Sequence, residues 1–528
     1  MRIKQRIIFI VAILVFLTTS FYFLNSNIKI NSDSNGFKNI KQFKLNIEDY
    51  SSFTNNYCQA NFPEEEEYVK PKNAKLIMVH IITRHGDRAP THSLPNENIS
   101  WNICNYVEEN KVSSIPNFVV NKKIDIDSIH NPYAKQVYWD GNCGIGQLTD
   151  KGIKQHKTLG SKLRKIYLND DYDQNLNKVT VEEWFWGVTS MSREEYEKEL
   201  NSINIGGRIW AKSTESSRTM ISAQSLLSEF IPNAKNITLN IAPRYLEMLT
   251  PNAHPCRRLK NYTNKMKESY QYKQKVKETK HEFEVIKKLL ETENSELTFE
   301  RYFDSIQGRR CWNKPMPCSK DGSKCINLSL AETIIDMGNW ERAYQYNIRG
   351  WDGAVELAKM RVGPILIEFL TNMLNKIRNL DDRRFLLYSA HDSTISAILG
   401  VLIDKPLHWP GYASSFIIEL WKSEENDDNK YFFRVIYNGK PIKMAWCNDN
   451  LHKKNLNNST IYEKESFNNH KANEVEYEDI SCNTLENLKS YLQDTLNLTV
   501  DIEMDYNKES TFIPSLIYDV DQECNKDN

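Results

Sequence analysis

Seven consecutive residues, Arg84-His85-Gly86-Asp87-Arg88-Ala89-Pro90, set an imidazole between two guanidiniums, with a glycine beside it and a proline closing the loop. Guanidiniums are planar forks of donors that match phosphoryl oxygens better than ammonium groups do. A histidine among such cations stays unprotonated, because its pKa starts low and like charge lowers it further. The set therefore suits in-line attack by His85 on phosphorus, giving a phosphohistidine and dividing one displacement into two. His391-Asp392 adds a carboxylic acid, Asp392, to protonate the leaving oxygen, and an imidazole, His391, to donate to a phosphoryl oxygen. Ser213-Thr214-Glu215-Ser216-Ser217-Arg218-Thr219 adds a third guanidinium, so Arg84, Arg88 and Arg218 form the expected phosphate clamp.

Each cluster also has an ordinary reading. An isolated Arg-His-Gly is a loop with a salt bridge, a lone His-Asp is a turn, and Arg218 alone is a surface helix arginine. The five fixed positions of Arg-His-Gly-x-Arg-x-Pro carry more weight, because average residue frequencies make the pattern rare, on the order of one in ten thousand for this length. His80 and His156 read as structural histidines. Asp87 reads as orienting a neighbouring arginine or facing solvent.

Three strands must position these clusters. Lys75 to Thr83 holds a continuous apolar run, Leu76 to Ile82, interrupted only by His80, the pattern of a strand buried on both faces in a parallel sheet. Arg208 to Ala211 and Arg384 to Ser389 are further strands, and each of the three runs directly into one cluster. Ligands of open parallel sheets sit beyond the carboxyl ends of the strands, so the clusters can converge. Thr149 is placed to cap a helix carrying Ile153, Leu159, Leu163 and Ile166. The Ser/Thr cluster is placed to cap a second helix running through Leu226 and Phe230. Trp184-Phe185-Trp186 reads as packing. Phe416 to Trp421 and Tyr431 to Tyr437 predict antiparallel strands, with Asn438-Gly439 turning into another. The fold class expected is α/β, a mostly parallel sheet flanked by helices, with an inserted and mainly helical cap. Core residues would be 71–247 and 346–528, and the cap 248–345. The cap holds the heavily charged, helical Lys265 to Glu293 and then Cys311, Cys318 and Cys325, spaced for local bridges although pairings do not follow from sequence.

At 528 residues the chain exceeds one typical core. Its formal net charge of -1 offers no basic excess for nucleic acid, and no nucleic-acid partner is expected. Arg2, Lys4 and Arg6 precede an uncharged stretch from Ile7 to Leu24, long enough to span a membrane with the basic side cytoplasmic. The expectation is a cytoplasmic tail (1–6), an uncleaved signal anchor (7–24), a stem (25–70) and a lumenal catalytic part. A cleaved signal peptide ending near Thr18-Thr19-Ser20 is the alternative. Ten cysteines with no close Cys-x-x-Cys pair suit disulfides rather than zinc, so no metal is expected. Glycosylation sequons begin at Asn98, Asn236, Asn261, Asn327, Asn457, Asn458 and Asn497. The Asn- and Glu-rich stretch between Cys447 and Cys482 reads as a surface loop.

Together these residues resemble the histidine acid phosphatase family, a branch of the histidine phosphatase superfamily. Arg84 to Pro90 is similar to its nucleophile loop, His391-Asp392 to its second motif and Ser213 to Thr219 to the stretch supplying the third arginine. Ala89 departs from the commoner Thr or Ser and touches no catalytic role. The resemblance implies an α/β core with a helical cap and neither metal nor organic cofactor. Within the family, Asn142 to Thr149, Tyr388 to Asp392, Glu419-Leu420-Trp421, Tyr437-Asn438-Gly439 and Pro317 to Cys325 are similar to a Golgi type II membrane member acting on a phosphorylated sugar of a glycan. That likeness implies a lumenal, Golgi-anchored phosphomonoesterase. A broad-specificity lysosomal or secreted acid phosphatase and an inactive glycan-binding relative are the competing readings. The chemistry of residues 84–90 does not choose the substrate.

Overall fold

The computed structural model describes residues 57–94, 99–105, 111–115, 118–121, 140–168, 171–173, 178–250, 256–293, 298–403, 408–424, 431–447 and 482–498. All lie in one compact unit. Its centre is a seven-stranded sheet: β1 (Ala74–Arg84), β2 (Ile209–Ser213), β3 (Leu239–Ile241), β4 (Phe385–Ala390), β5 (Ser415–Ser423), β6 (Tyr431–Tyr437) and β7 (Lys440–Pro441), in the order β7-β6-β5-β1-β4-β2-β3. β3, β2, β4 and β1 run parallel. β5 pairs antiparallel with β1, and β6 and β7 follow as hairpins, so five of the seven strands share one direction. The turn into β7 uses Asn438 and Gly439, both at positive φ, the conformation a tight hairpin demands.

β1 is central, and its pleat explains its unbroken apolar run. Met78 and Ile82 face one layer, built on α8 (Ala354–Ile377), α9 (Asp392–Leu402) and α10 (Leu485–Leu496). Val79 and Ile81 face the other, built on α1 (Asp150–Tyr167) and α2 (Ser217–Phe230). Each such side chain, fully buried, contributes roughly 1.5–3 kcal/mol, so one strand secures both helical layers. His80 lies within the first layer between Phe369 and Tyr388, and both its ring nitrogens lack partners; burial pushes its pKa down to about 3. It is a neutral packing histidine. Trp184, Phe185 and Trp186 pack in the second layer as expected.

Between β3 and α8 the chain is helical: α3 (Arg257–Glu268), α4 (Tyr270–Glu278), α5 (Lys280–Leu289), α6 (Phe299–Cys311) and α7 (Leu328–Tyr346). The charged stretch after Lys265 is helical but broken at Ser269 and Thr279, with Met266, Tyr272, Phe283 and Ile286 turned inward. Of the three clustered cysteines only Cys318 and Cys325 pair locally; Cys311 joins Cys58 across a separation of 253 residues. Cys104 pairs with Cys143, and Cys447 with Cys482, closing the ends of the Asn- and Glu-rich stretch 448–481, which lies outside the described residues.

A stem reaching residue 70 is not what the structure has. From Tyr57 onward the chain is packed against the unit: Cys58 is bridged to Cys311, Phe62 is buried, and Tyr68 donates to Glu419 at 2.8 Å. A composition without apolar periodicity concealed a segment held by isolated anchors. The anchor candidate 7–24 lies outside the described residues; among those described, no helix is long and apolar enough to cross a membrane. Of the sequons, Asn236, Asn261, Asn327 and Asn497 are exposed, and Asn98, Asn457 and Asn458 lie outside the described residues.

Candidate active site

Strands β1, β2 and β4 all end on one edge. The loop leaving β1 is pinned through its backbone: His85 N–H donates to the Ala390 carbonyl at 3.0 Å, Gly86 N–H to Ser222 Oγ at 3.1 Å, and Asp87 N–H to Gln155 Oε1 at 2.8 Å. The partners belong to β4, α2 and α1, so all three fix one loop. Glycines allow the approach. A Cβ on Gly86 would meet the Gly152 backbone at 2.4 Å, and one on Gly152 would meet the Asp87 carbonyl at 2.3 Å. Thr149 caps α1 as its position predicts, accepting from Gly152 N–H, while its own N–H donates to the Asp87 carbonyl at 2.9 Å. His156 Nε2 reaches the Arg84 carbonyl at 3.0 Å, a structural role as expected.

His85 is 2 % exposed, and its Nδ1 lies 2.8 Å from the carbonyl of Gly86. A carbonyl only accepts, so Nδ1 carries the proton and the Nε2 lone pair is free. Burial, and then Arg218, Arg84, Arg88 and His391, hold the ring well below its ordinary pKa. The histidine is thus neutral and in the tautomer a nucleophile needs.

The three guanidiniums are not equivalent. Arg84 is fully buried, donates to Tyr57 Oη at 3.0 Å and to the Pro410 carbonyl, sits over the Tyr412 ring at 4.2 Å, and pairs with Asp392 Oδ2 at 3.2 Å. Arg88 is paired with Asp304 of α6 at 2.8 Å. Arg218, in the first turn of α2, has no ion pair among the described residues, and its Nε is buried without a partner. Burial and then Arg88 push its pKa down to about 10. The Ser/Thr cluster before it does not cap α2 through Ser216; Thr219 Oγ1 instead donates back to the Ser216 carbonyl at 2.8 Å.

His391 Nε2 lies 3.0 Å from Thr214 Oγ1, and burial followed by Arg218 pushes its pKa down to about 3. Asp392 begins α9 and receives Trp409 Nε1–H at 2.8 Å. Although burial opposes ionisation, Arg84 and Arg342 outweigh it and hold the carboxyl well below the usual range in the empty site. Asp87 neither orients an arginine nor faces solvent. It is buried, accepts from Thr149 Oγ1 and Trp312 Nε1 at 2.7 Å each, and is pushed up to about 6 by burial.

These residues border a cavity of about 450 Å³. His85, Arg88, Arg218, His391 and Asp392 line its floor, and Arg84 supports Asp392 from beneath. The lining also holds Glu215, Arg244, Glu247, Thr250 and Glu300, with Trp409 as an aromatic surface. Asp304, Arg342 and Trp409 carried no sequence signal of their own: the first two are charged residues in helices, and only the fold brings Asp304 and Trp409 to the pocket and Arg342 behind it, beside Asp392. Among the described residues no cluster of His, Cys, Asp and Glu could hold a metal ion.

A neutral histidine backed by guanidiniums at the carboxyl ends of parallel strands defines a class of phosphoryl-transfer enzyme, and comparison with known proteins agrees. Residues 75–438 match the model of the histidine phosphatase superfamily (branch 2), and the chain belongs to that family. It is a histidine acid phosphatase, a phosphoric monoester hydrolase. Among curated proteins it is similar to 2-phosphoxylose phosphatase 1 of Xenopus tropicalis, 26% identical over 409 residues, covering 75% of each chain. It is also similar to Counting factor 60 of Dictyostelium discoideum, 24% identical over 405 residues, covering 74% of this chain and 86% of that one. Among solved structures, the phytase of Citrobacter braakii aligns with a TM-score of 0.41 and 15% identity, covering 69% of this chain and 85% of that one.

Proposed function

We propose that the protein hydrolyses a phosphorylated sugar of a glycan, 2-phosphoxylose in the glycosaminoglycan-protein linkage region, through a phosphohistidine on His85. The observation that carries the mechanism is the fixed tautomer of His85 beside an unpaired guanidinium, Arg218. An incoming phosphoryl group supplies the anion that Arg218 lacks, with Arg88 and His391 on its other oxygens. Arg84 acts from beneath, through Asp392 and through its charge on His85.

His85 Nε2 attacks phosphorus as the ester P–O bond breaks, and the leaving oxygen takes a proton from Asp392. Asp392 is ionised in the empty site, so the proton arrives with the substrate as a phosphate monoanion, abundant below about pH 6. Water then attacks the phosphohistidine, its proton passes to Asp392, the P–N bond breaks, and phosphate leaves.

The sugar assignment draws on two supports. The cavity lining beyond His85, the arginines, His391 and Asp392 is mostly polar, with the Trp409 ring, and suits a polyhydroxyl leaving group. A relative named for 2-phosphoxylose matches over three-quarters of the chain. The same reading places the enzyme in the Golgi as a type II membrane protein, anchored by residues 7–24, with its catalytic part lumenal and residues 248–345 forming the cap. The test is hydrolysis of a 2-phosphoxylose-bearing linkage oligosaccharide beside an aryl phosphate. A higher kcat/KM on the oligosaccharide is expected; activity on the aryl compound alone makes the protein a broad-specificity acid phosphatase instead.

A further inference from the structure

Asp392 is held from two sides by cations of different origin. Arg84, from β1, meets Oδ2 at 3.2 Å; Arg342, from α7 of the helical insertion, lies 3.8 Å from Oδ1. Arg342 is buried and its guanidinium lies 3.8 Å from the centre of the Trp409 ring, which is stacked on Phe303 and donates to Oδ2. The same nitrogen of Arg342, Nη2, also meets Glu300 of α6 at 3.5 Å, a side chain 62% exposed that lines the catalytic cavity. A chain of contacts thus runs from the mouth of the cavity through Glu300 and Arg342 to the carboxyl group.

Arg342 does not line the cavity and reaches it only through Asp392, Trp409 and Glu300. It faces Asp392, the Trp409 ring that holds the same carboxyl, its countercharge Glu300, and Tyr346, whose hydroxyl accepts from its Nη1 at 3.4 Å. We infer that Arg342 is a positioning residue that fixes the Asp392 carboxyl and sets the pH above which the leaving group is no longer protonated, with Glu300 as the countercharge that moderates it. This rests on Asp392 being the general acid.

The other charges around Asp392 are constant across the comparison that tests this. Arg84 and Arg88 come from β1 and its loop, Arg218 from α2, His391 from the residue before, and Tyr57 from the N-terminal segment. Around Arg342 stand Tyr346 on the same helix, the neighbouring Glu341, and Arg361 of α8. Removing Arg342 takes one cation from beside the carboxyl, so Asp392 keeps its proton to higher pH. Removing Glu300 leaves Arg342 unopposed, and the proton is lost at lower pH.

The test is the pH dependence of kcat for an alkyl phosphate, whose P–O cleavage is slow enough to limit turnover. In Arg342→Gln the alkaline limb moves up by about one pH unit, the lower end of what an opposite charge at such a distance commands. In Glu300→Gln it moves down, and Arg342→Lys returns it toward the wild-type position. Opposite displacements are the signature, since mere loss of packing lowers kcat without moving either limb. A limb that stays in place, or moves the same way in both variants, overturns the inference. If Arg342→Gln does not fold, the exposed Glu300→Gln decides alone by moving the limb down or leaving it. Asp392→Asn separates the two levels: equal losses on alkyl and aryl phosphates reject Asp392 as the acid, whereas a selective alkyl loss with unmoved limbs rejects only the role of Arg342.

Discussion

The charge of Arg218 costs the empty protein stability and, in the proposed mechanism, binds the substrate's phosphoryl group, so replacing it separates the two effects. Burial first, and then Arg88, hold its pKa down to about 10, well below the ordinary arginine value of the unfolded chain. At about 1.4 kcal/mol per tenfold change, keeping this charge costs the folded state roughly 3 kcal/mol. The sign follows from linkage. Below about pH 10 the group is charged in both states, so the full cost is present at every working pH, and it fades only as pH rises beyond that. Arg218→Met keeps an unbranched stem and removes the charge. In the absence of phosphate the variant is therefore more stable, by up to about 3 kcal/mol less whatever packing the shorter chain loses. Inorganic phosphate at a hundred times its Kd then stabilises the wild type by about 2.7 kcal/mol and the variant hardly at all, closing most or all of the gap. Urea unfolding at pH 7, with and without phosphate, reads both numbers. A variant no more stable than wild type without phosphate, or equally stabilised by it, refutes the view of Arg218 as an uncompensated cation awaiting an anion.

Two further substitutions probe the loop's support. Gly152→Ala drives a methyl into the Asp87 carbonyl, and we expect a loss of about 1–3 kcal/mol in stability with a fall in kcat on every substrate, since the displaced loop carries His85; an unchanged kcat in a folded variant contradicts this. Asp87, pushed up to about 6 from 3.8, is destabilising when ionised, so its cost is full above about pH 6 and relieved as pH falls toward 4. Asp87→Asn is accordingly more stable than wild type at pH 7 by up to about 3 kcal/mol, with a flatter stability profile between pH 4 and 7. Thermal unfolding across that range checks it, and an identical slope in both proteins removes Asp87 as the titrating group.

The sheet's central strands and the three clusters at their ends were legible because each is local: a continuous apolar run, then a short polar motif. The edge hairpin was legible from Asn438-Gly439 for the same reason. What escaped is whatever depends on distant partners. Asp304 meets Arg88 from α6, Arg342 meets Asp392 from α7, and Tyr57 meets Arg84 from the segment that composition assigned to a stem. None has neighbours in sequence that mark it, because a buried ion pair between elements looks, in each element alone, like a solvated charge. Asp87 was misjudged similarly: its partners, Thr149 and Trp312, lie 62 and 225 residues away. Cys311 followed the same rule, pairing with Cys58 rather than with its sequence neighbours.

Rapid quenching with a substrate labelled in its phosphoryl group tests whether His85 is the nucleophile. Label is expected on the protein in an acid-labile, alkali-stable linkage, mapped to the peptide containing His85 and absent from a folded His85→Ala variant. Label on any other residue, or full turnover by His85→Ala, would contradict it.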